Sequence, residues 1–134
     1  MDQLAPVGST RHPFSLQDVW KCMFAEHIKH LVFATQSQYD AWQTGHVLKG
    51  GQPVQTLGNN ITARIKSMLM ANNKDSGAFL DSCHHHCGAW DTIRIDGDLV
   101  SVAIQKWYNG IGKAGNKVLW NQDKPYPCAA CCKP

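Results

Sequence analysis

Ile28-Lys29-His30-Leu31-Val32-Phe33-Ala34-Thr35 turns on four successive apolar residues, Leu31 to Ala34. So short a run, apolar at consecutive and not alternate positions, predicts a strand buried on both faces of a parallel sheet. Polar Gln36 to Gln43 follows and reads as a loop at the strand's C-terminal end, where open α/β sheets carry functional side chains. Ala78-Phe79-Leu80 repeats the pattern as a second short strand and runs into Asp81-Ser82-Cys83-His84-His85-His86-Cys87.

Outward from these strands the periodicity is helical. Leu16, Val19, Trp20, Met23 and Phe24 share one face over Phe14–Phe24. Ile61, Ile65, Met68 and Leu69 do the same over Ile61–Ala71. Between them, Lys49–Gly58 holds three glycines and a proline and reads as a loop. A third helix is predicted over Asp98–Tyr108, capped by Asp96 or Asp98, with Trp107 and Tyr108 in the core. Trp90 and Trp120 fall in loops, and the tail from Gly110 is rich in Gly, Pro and Cys. Residues 1–13 read as a loose leading segment and 14–134 as part of one domain. Helix, strand, loop, helix, strand, loop, helix is the tail of an α/β fold. Two such strands alone leave both apolar edges open, so a larger sheet is expected.

At 134 residues, 43% of them hydrophobic and 17% charged, the chain is long enough for a modest core and too apolar for general disorder. Its +3 charge is scattered, with no basic run, and this argues against nucleic acid as a partner. No apolar stretch approaches the ~20 residues of a membrane span. Met1–Thr10 lacks the basic and apolar regions of a signal peptide. Yet Cys22, Cys83, Cys87, Cys128, Cys131 and Cys132 are many for a reducing compartment, and Asn60-Ile61-Thr62 is a glycosylation sequon. A missing N-terminal half that carries the chain into an oxidising, secretory compartment would reconcile these signals.

Three histidines and two cysteines just past a strand suggest a metal site or a catalytic base. Zinc favours such ligands, and Cys128-Ala129-Ala130-Cys131 has a familiar spacing. Adjacent residues cannot all face one ion, however, and disulfides with two bystander histidines are the plainer reading, with no metal and no cofactor. Asp40, just after the first strand, is by itself a turn residue. With a histidine after the next strand it matches the order acid, then His, on loops at one sheet edge. There the acid would hold the imidazole tautomer and stabilise the imidazolium.

Tyr39-Asp40-Ala41-Trp42-Gln43 resembles the Tyr-Asp-x-Trp/Phe-Gln acid segment of the pectin acetylesterase / Notum family. Asp81 to Cys87 resembles its Asp/Asn-Ser-Cys-x-x-His-Cys segment, Ala103–Tyr108 its Ala-x-x-x-Trp-Tyr helix, and Pro125-Tyr126-Pro127-Cys128 its Cys-rich C-terminus. Cys22-Met23-Phe24 is similar to a Cys-Phe-Phe ahead of the acid strand. The resemblance runs from Cys22 to Cys132 and implies the C-terminal part of an α/β-hydrolase-like parallel sheet with flanking helices and a Cys-rich tail. It implies Asp40 as triad acid and His86 as triad base of a carboxylesterase acting on an acetylated polysaccharide. His84 and His85 take variable positions and receive no role. Trp42 either lines a substrate pocket or packs in the core.

The sequence departs from the family in one chemical essential. No Gly-x-Ser-x-Gly elbow occurs, and Ser9, Ser15, Ser37, Ser67, Ser76, Ser82 and Ser101 all lack its context. Ser82 reads as a structural hydroxyl. The chain alone is therefore expected to be inactive, supplying Asp and His only. A Notum-like deacylase, a non-catalytic relative and a Cys/His zinc module are the alternatives. Cys22 and Cys83 belong to opposite ends of neighbouring strands, ~20 Å apart, beyond the ~7 Å a disulfide tolerates. Cys22 is thus expected to be free or paired outside the chain, with Cys87 and the tail cysteines left to pair among themselves.

Overall fold

The computed structural model describes residues 29–48, 50–67, 73–126, 128 and 130–132. The leading segment, the helix expected over Phe14–Phe24, Cys22, Met68 and Leu69 lie outside them. The elements are β1 (Phe33–Ser37), α1 (Ala41–His46), α2 (Val54–Ile65), β2 (Gly77–Asp81), β3 (Arg94–Ile95), β4 (Asp98–Leu99), α3 (Val100–Gly110) and β5 (Leu119–Asn121). Strands β1, β2 and β5 form a parallel sheet in that order, with β2 central and buried at all five positions. The protein has an α/β fold.

Burial on both faces explains the continuous apolar character of β2. On one face Phe79 joins Ile93, Ile95, Ala103, Trp107 and Trp120, with Phe33 packed against them. On the other, Ala78 and Leu80 meet Ile65, with Ile61, Ala34 and Leu119 alongside. The amphipathic face expected for the second helix is thus present at Ile61 and Ile65. No helix among the described residues is long and apolar enough to cross a membrane.

Several boundaries differ from the sequence reading, each for a local reason. The first strand runs later than Leu31–Ala34, because Val32 gives its carbonyl to Gly77 N–H but its own N–H to the Ser76 side chain, and polar Ser37 is satisfied inside the sheet by donating to the Cys83 carbonyl. Helix α2 begins at Val54, seven residues before Ile61, with Pro53 as its N-cap. Gly58, read as loop, sits inside that helix because a β-carbon there would lie 2.6 Å from the Tyr39 ring. Gly58→Ala is therefore expected to be destabilising on urea unfolding. Overpacking costs roughly 1–3 kcal/mol, against the ~1 kcal/mol that alanine gains in a helix. Gly45→Ala, with open space around it, is the control and should be neutral or stabilising.

Neither Asp96 nor Asp98 caps the third helix, which starts at Val100 after Leu99. Asp96 and Gly97, both at positive φ, instead make the tight turn of the β3–β4 hairpin, and Asp-Gly is a signal for such a turn. Asp98 binds Lys106 Nζ at 2.6 Å and accepts Trp120 Nε1–H at 3.0 Å, and these donors, Lys106 first, hold its carboxyl below the usual range. Trp120 lies in β5 and is fully buried, not in a loop. Tyr108, placed in the core by sequence, is 68% exposed, because Ala103 and Trp107 one turn apart already define the face of α3 that meets the sheet.

Candidate active site

The strand register places the site. Ser37 and Asp81 are paired at the ends of β1 and β2, so the loops that follow leave the same sheet edge side by side. Gln38 N–H continues the ladder to the Asp81 carbonyl at 2.8 Å. The Gln38 side chain then crosses to β5, its amide nitrogen 3.1 Å from both Asn121 Oδ1 and the Gln122 carbonyl. Gln122 in turn accepts Ser82 N–H at 2.9 Å. The side chains of buried Gln38 and half-buried Gln122 thus lock three strand ends together.

Asp40 stands at the end of the first loop as the N-cap of α1. Its Oδ1 accepts Gln43 N–H at 2.8 Å, the usual capping bond. Its Oδ2 faces His86 Nδ1, also at 2.8 Å. A carboxylate in that position requires the proton on Nδ1, which leaves the Nε2 lone pair available. Asp40 is buried, whereas the His86 side chain is 50% exposed. No hydrogen bond engages His86 Nε2 among the described residues, so an accessible imidazole is backed by a buried carboxyl group.

The other two histidines diverge from His86. His84 Nε2 meets Thr44 Oγ1 at 3.2 Å, and its ring lies edge-on to Tyr126. His85, which the sequence left without a role, turns inward and binds both carboxylate oxygens of fully buried Asp81, at 3.1 and 3.0 Å. Trp90 covers it edge-on at 4.7 Å. Asp81 also accepts Cys83 N–H at 2.9 Å. The clue to this pair was an Asp closing an apolar strand four residues ahead of a His.

The hydrogen bond to Asp81 raises the pKa of His85; burial opposes the rise, and the charges of Asp81 and Asp40 add to it. A raised histidine contributes stability that is complete below its unfolded value of about 6.5 and is lost as pH climbs through the folded value. His85→Gln should therefore destabilise the protein more at pH 5.5 than at pH 8.5, as read by urea unfolding at both.

Trp42 is half-exposed. Its ring stacks on His46 at 4.8 Å and lies 6.3 Å from that of His86, so it borders His86 and does not pack in the core. The described serines near the site are already engaged: Ser37 Oγ donates to the Cys83 carbonyl and Ser82 Oγ to the Gln122 carbonyl. Asn60 lies exposed on α2.

The cysteines pair differently from the expectation. Cys83 joins Cys132 and Cys128 joins Cys131, with Cα separations of 5.5 and 5.4 Å, while Cys87 is exposed and unpaired among the described residues. Cys83 faces the core and Cys87 does not, so the tail reaches the former. These bonds consume four thiols of the zinc alternative, and no group of three potential ligands is assembled among the described residues.

No protein-family model matches the chain. Pectin acetylesterase 5 of Arabidopsis thaliana is 30% identical over 145 residues, which cover 84% of this chain and 33% of that protein. Pectin acetylesterase 4 of the same plant is 25% identical over 143 residues, 84% of this chain and 34% of the relative. The chain spans about a third of the length of these curated relatives.

Proposed function

We propose, from the premise that this chain is a relative of the pectin acetylesterases, that it carries the acid and base of a serine ester hydrolase acting on an acetylated, pectin-like polysaccharide. One observation carries the reading: Asp40 and His86, on neighbouring loops at one sheet edge, share a 2.8 Å hydrogen bond that leaves His86 Nε2 accessible. That edge and that order of acid and base are those of an α/β-hydrolase.

In this reading a serine contributed from outside the 134 residues attacks the ester carbonyl while His86 Nε2 takes its proton. His86 then gives the proton to the sugar oxygen as its bond to the acetyl carbon breaks, and afterwards activates water to release acetate. Asp40 holds the ring and stabilises its charged form. Trp42 gives the sugar an apolar face beside the base. The parent protein would meet such a substrate outside the cell, where disulfides and a glycan on Asn60 are both at home.

The test is acetate release from acetylated polygalacturonate by the purified 134-residue chain, together with the coding sequence upstream of Met1. The expected results are no release above background and an in-frame Gly-x-Ser-x-Gly upstream. Release by the chain alone that disappears in His86→Ala would show that the nucleophile lies within it.

A further inference from the structure

The loop after β2 sends three consecutive histidines in three directions, and only one of them points into the protein. His85 fills a slot between the Asp81 carboxylate and the Trp90 ring. The backbone carbonyl of His85 accepts the N–H of Ala41 at 2.9 Å, and Ala41 directly follows Asp40. The ring of His86, one residue on, reaches Asp40 itself. The two loops are therefore joined at two successive positions on each side, and the inner join depends on where the His85 backbone sits.

We propose that Asp81 and His85 form a positioning pair, whose inward anchor fixes the turn so that His86 Nδ1 stays on Asp40 Oδ2. The pair touches no substrate in this arrangement and acts through the neighbouring acid and base; the proposal rests on the reading of Asp40 and His86 given above. Asp81 is suited to the task because it is wholly buried and held from two sides, by Cys83 N–H and by the His85 ring. Removing the ring leaves a buried carboxylate with one donor fewer, which drives the turn to rearrange.

A positioning role and a merely structural one differ in one signature. If the anchor only stabilises the fold, a folded His85→Gln chain keeps the hydrogen bond from His86 Nδ1–H to Asp40; if it positions the turn, that bond loosens in a chain that is still folded. The experiment is proton–nitrogen NMR of the His86 imidazole in the wild-type chain, His85→Gln and Asp40→Asn, read as the balance of Nδ1–H and Nε2–H tautomers and the exchange rate of the Nδ1 proton.

The expected result in His85→Gln is exchange of the Nδ1 proton about tenfold faster or more, with the tautomer balance moved toward Nε2–H, and a larger change of the same kind in Asp40→Asn. Signals in a folded His85→Gln chain that match wild type, while Asp40→Asn alters them, overturn the positioning role alone. No change in Asp40→Asn overturns the pairing of Asp40 with His86, and the positioning role with it. Should His85→Gln fail to fold, Trp90→Leu removes the outer wall of the slot without altering any charge; it is expected to change the same signals in the same direction, and unchanged signals there overturn the proposal.

Discussion

On the proposed esterase reading, Asp40→Asn in the intact protein is expected to cut kcat for acetyl-ester hydrolysis about ten-thousand-fold while leaving its thermal midpoint nearly unchanged. The two effects separate because the two carboxylate oxygens do different work. Oδ1 caps α1 by accepting Gln43 N–H, and an asparagine carbonyl oxygen does this as well as a carboxylate. Oδ2 accepts from His86 Nδ1, and an amide NH2 there would donate instead. The imidazole would then keep its proton on Nε2, where the reaction needs a lone pair. His86→Ala removes the base altogether and should lose at least as much. Initial rates at saturating substrate, with a melting curve for each variant, decide the matter. An Asp40→Asn enzyme within tenfold of wild type would remove Asp40 from the mechanism.

Loss of the Cys83–Cys132 disulfide is expected to be the largest single stability effect. The bond joins residues 49 apart, and loop-closure entropy alone puts its contribution at about 4 kcal/mol. The Cys128–Cys131 bridge closes a far smaller loop and by the same reasoning contributes about 2 kcal/mol. Urea unfolding of Cys83→Ser/Cys132→Ser beside Cys128→Ser/Cys131→Ser checks the ranking. Cys83 also donates its N–H to Asp81 and receives Ser37 Oγ–H on its carbonyl, so the first double variant loosens the histidine loop as well. Equal losses in the two pairs would mean that the long loop is already constrained in the unfolded chain.

What the sequence made legible follows from how local each signal was. Ala78-Phe79-Leu80 announced a doubly buried strand because all three residues face packed layers. Asp40 and His86 stood out because each lies within a few residues of a strand's C-terminal end. Gly58 misled, since a glycine that admits a tyrosine ring and a glycine in a loop look alike until the ring is in place. Trp120 was hidden for a different reason: a three-residue strand shows no period, and its burial comes from Phe33 and Asp98, far away in the chain. His85 lay outside the reading because its role depends on Asp81 being buried, a property of the sheet and not of the heptapeptide. The disulfide partners were equally beyond reach, as a tail of closely spaced cysteines does not say which one folds back onto Cys83.

The pairing of Ser37 with Asp81 has an evolutionary consequence. Asp40 and His86 are each only a few residues beyond a paired strand end, so their separation is set by the hydrogen-bond ladder. A slip of one residue would move one loop by ~3.3 Å against the other, more than the 2.8 Å that now separates Asp40 Oδ2 from His86 Nδ1. Insertions and deletions in the long crossovers, before Gly77 or between Gly88 and Val118, leave that ladder as it is. Relatives are thus free to diverge widely in crossover length, and in whatever those crossovers recognise, while a strand shift of a single residue is forbidden to them.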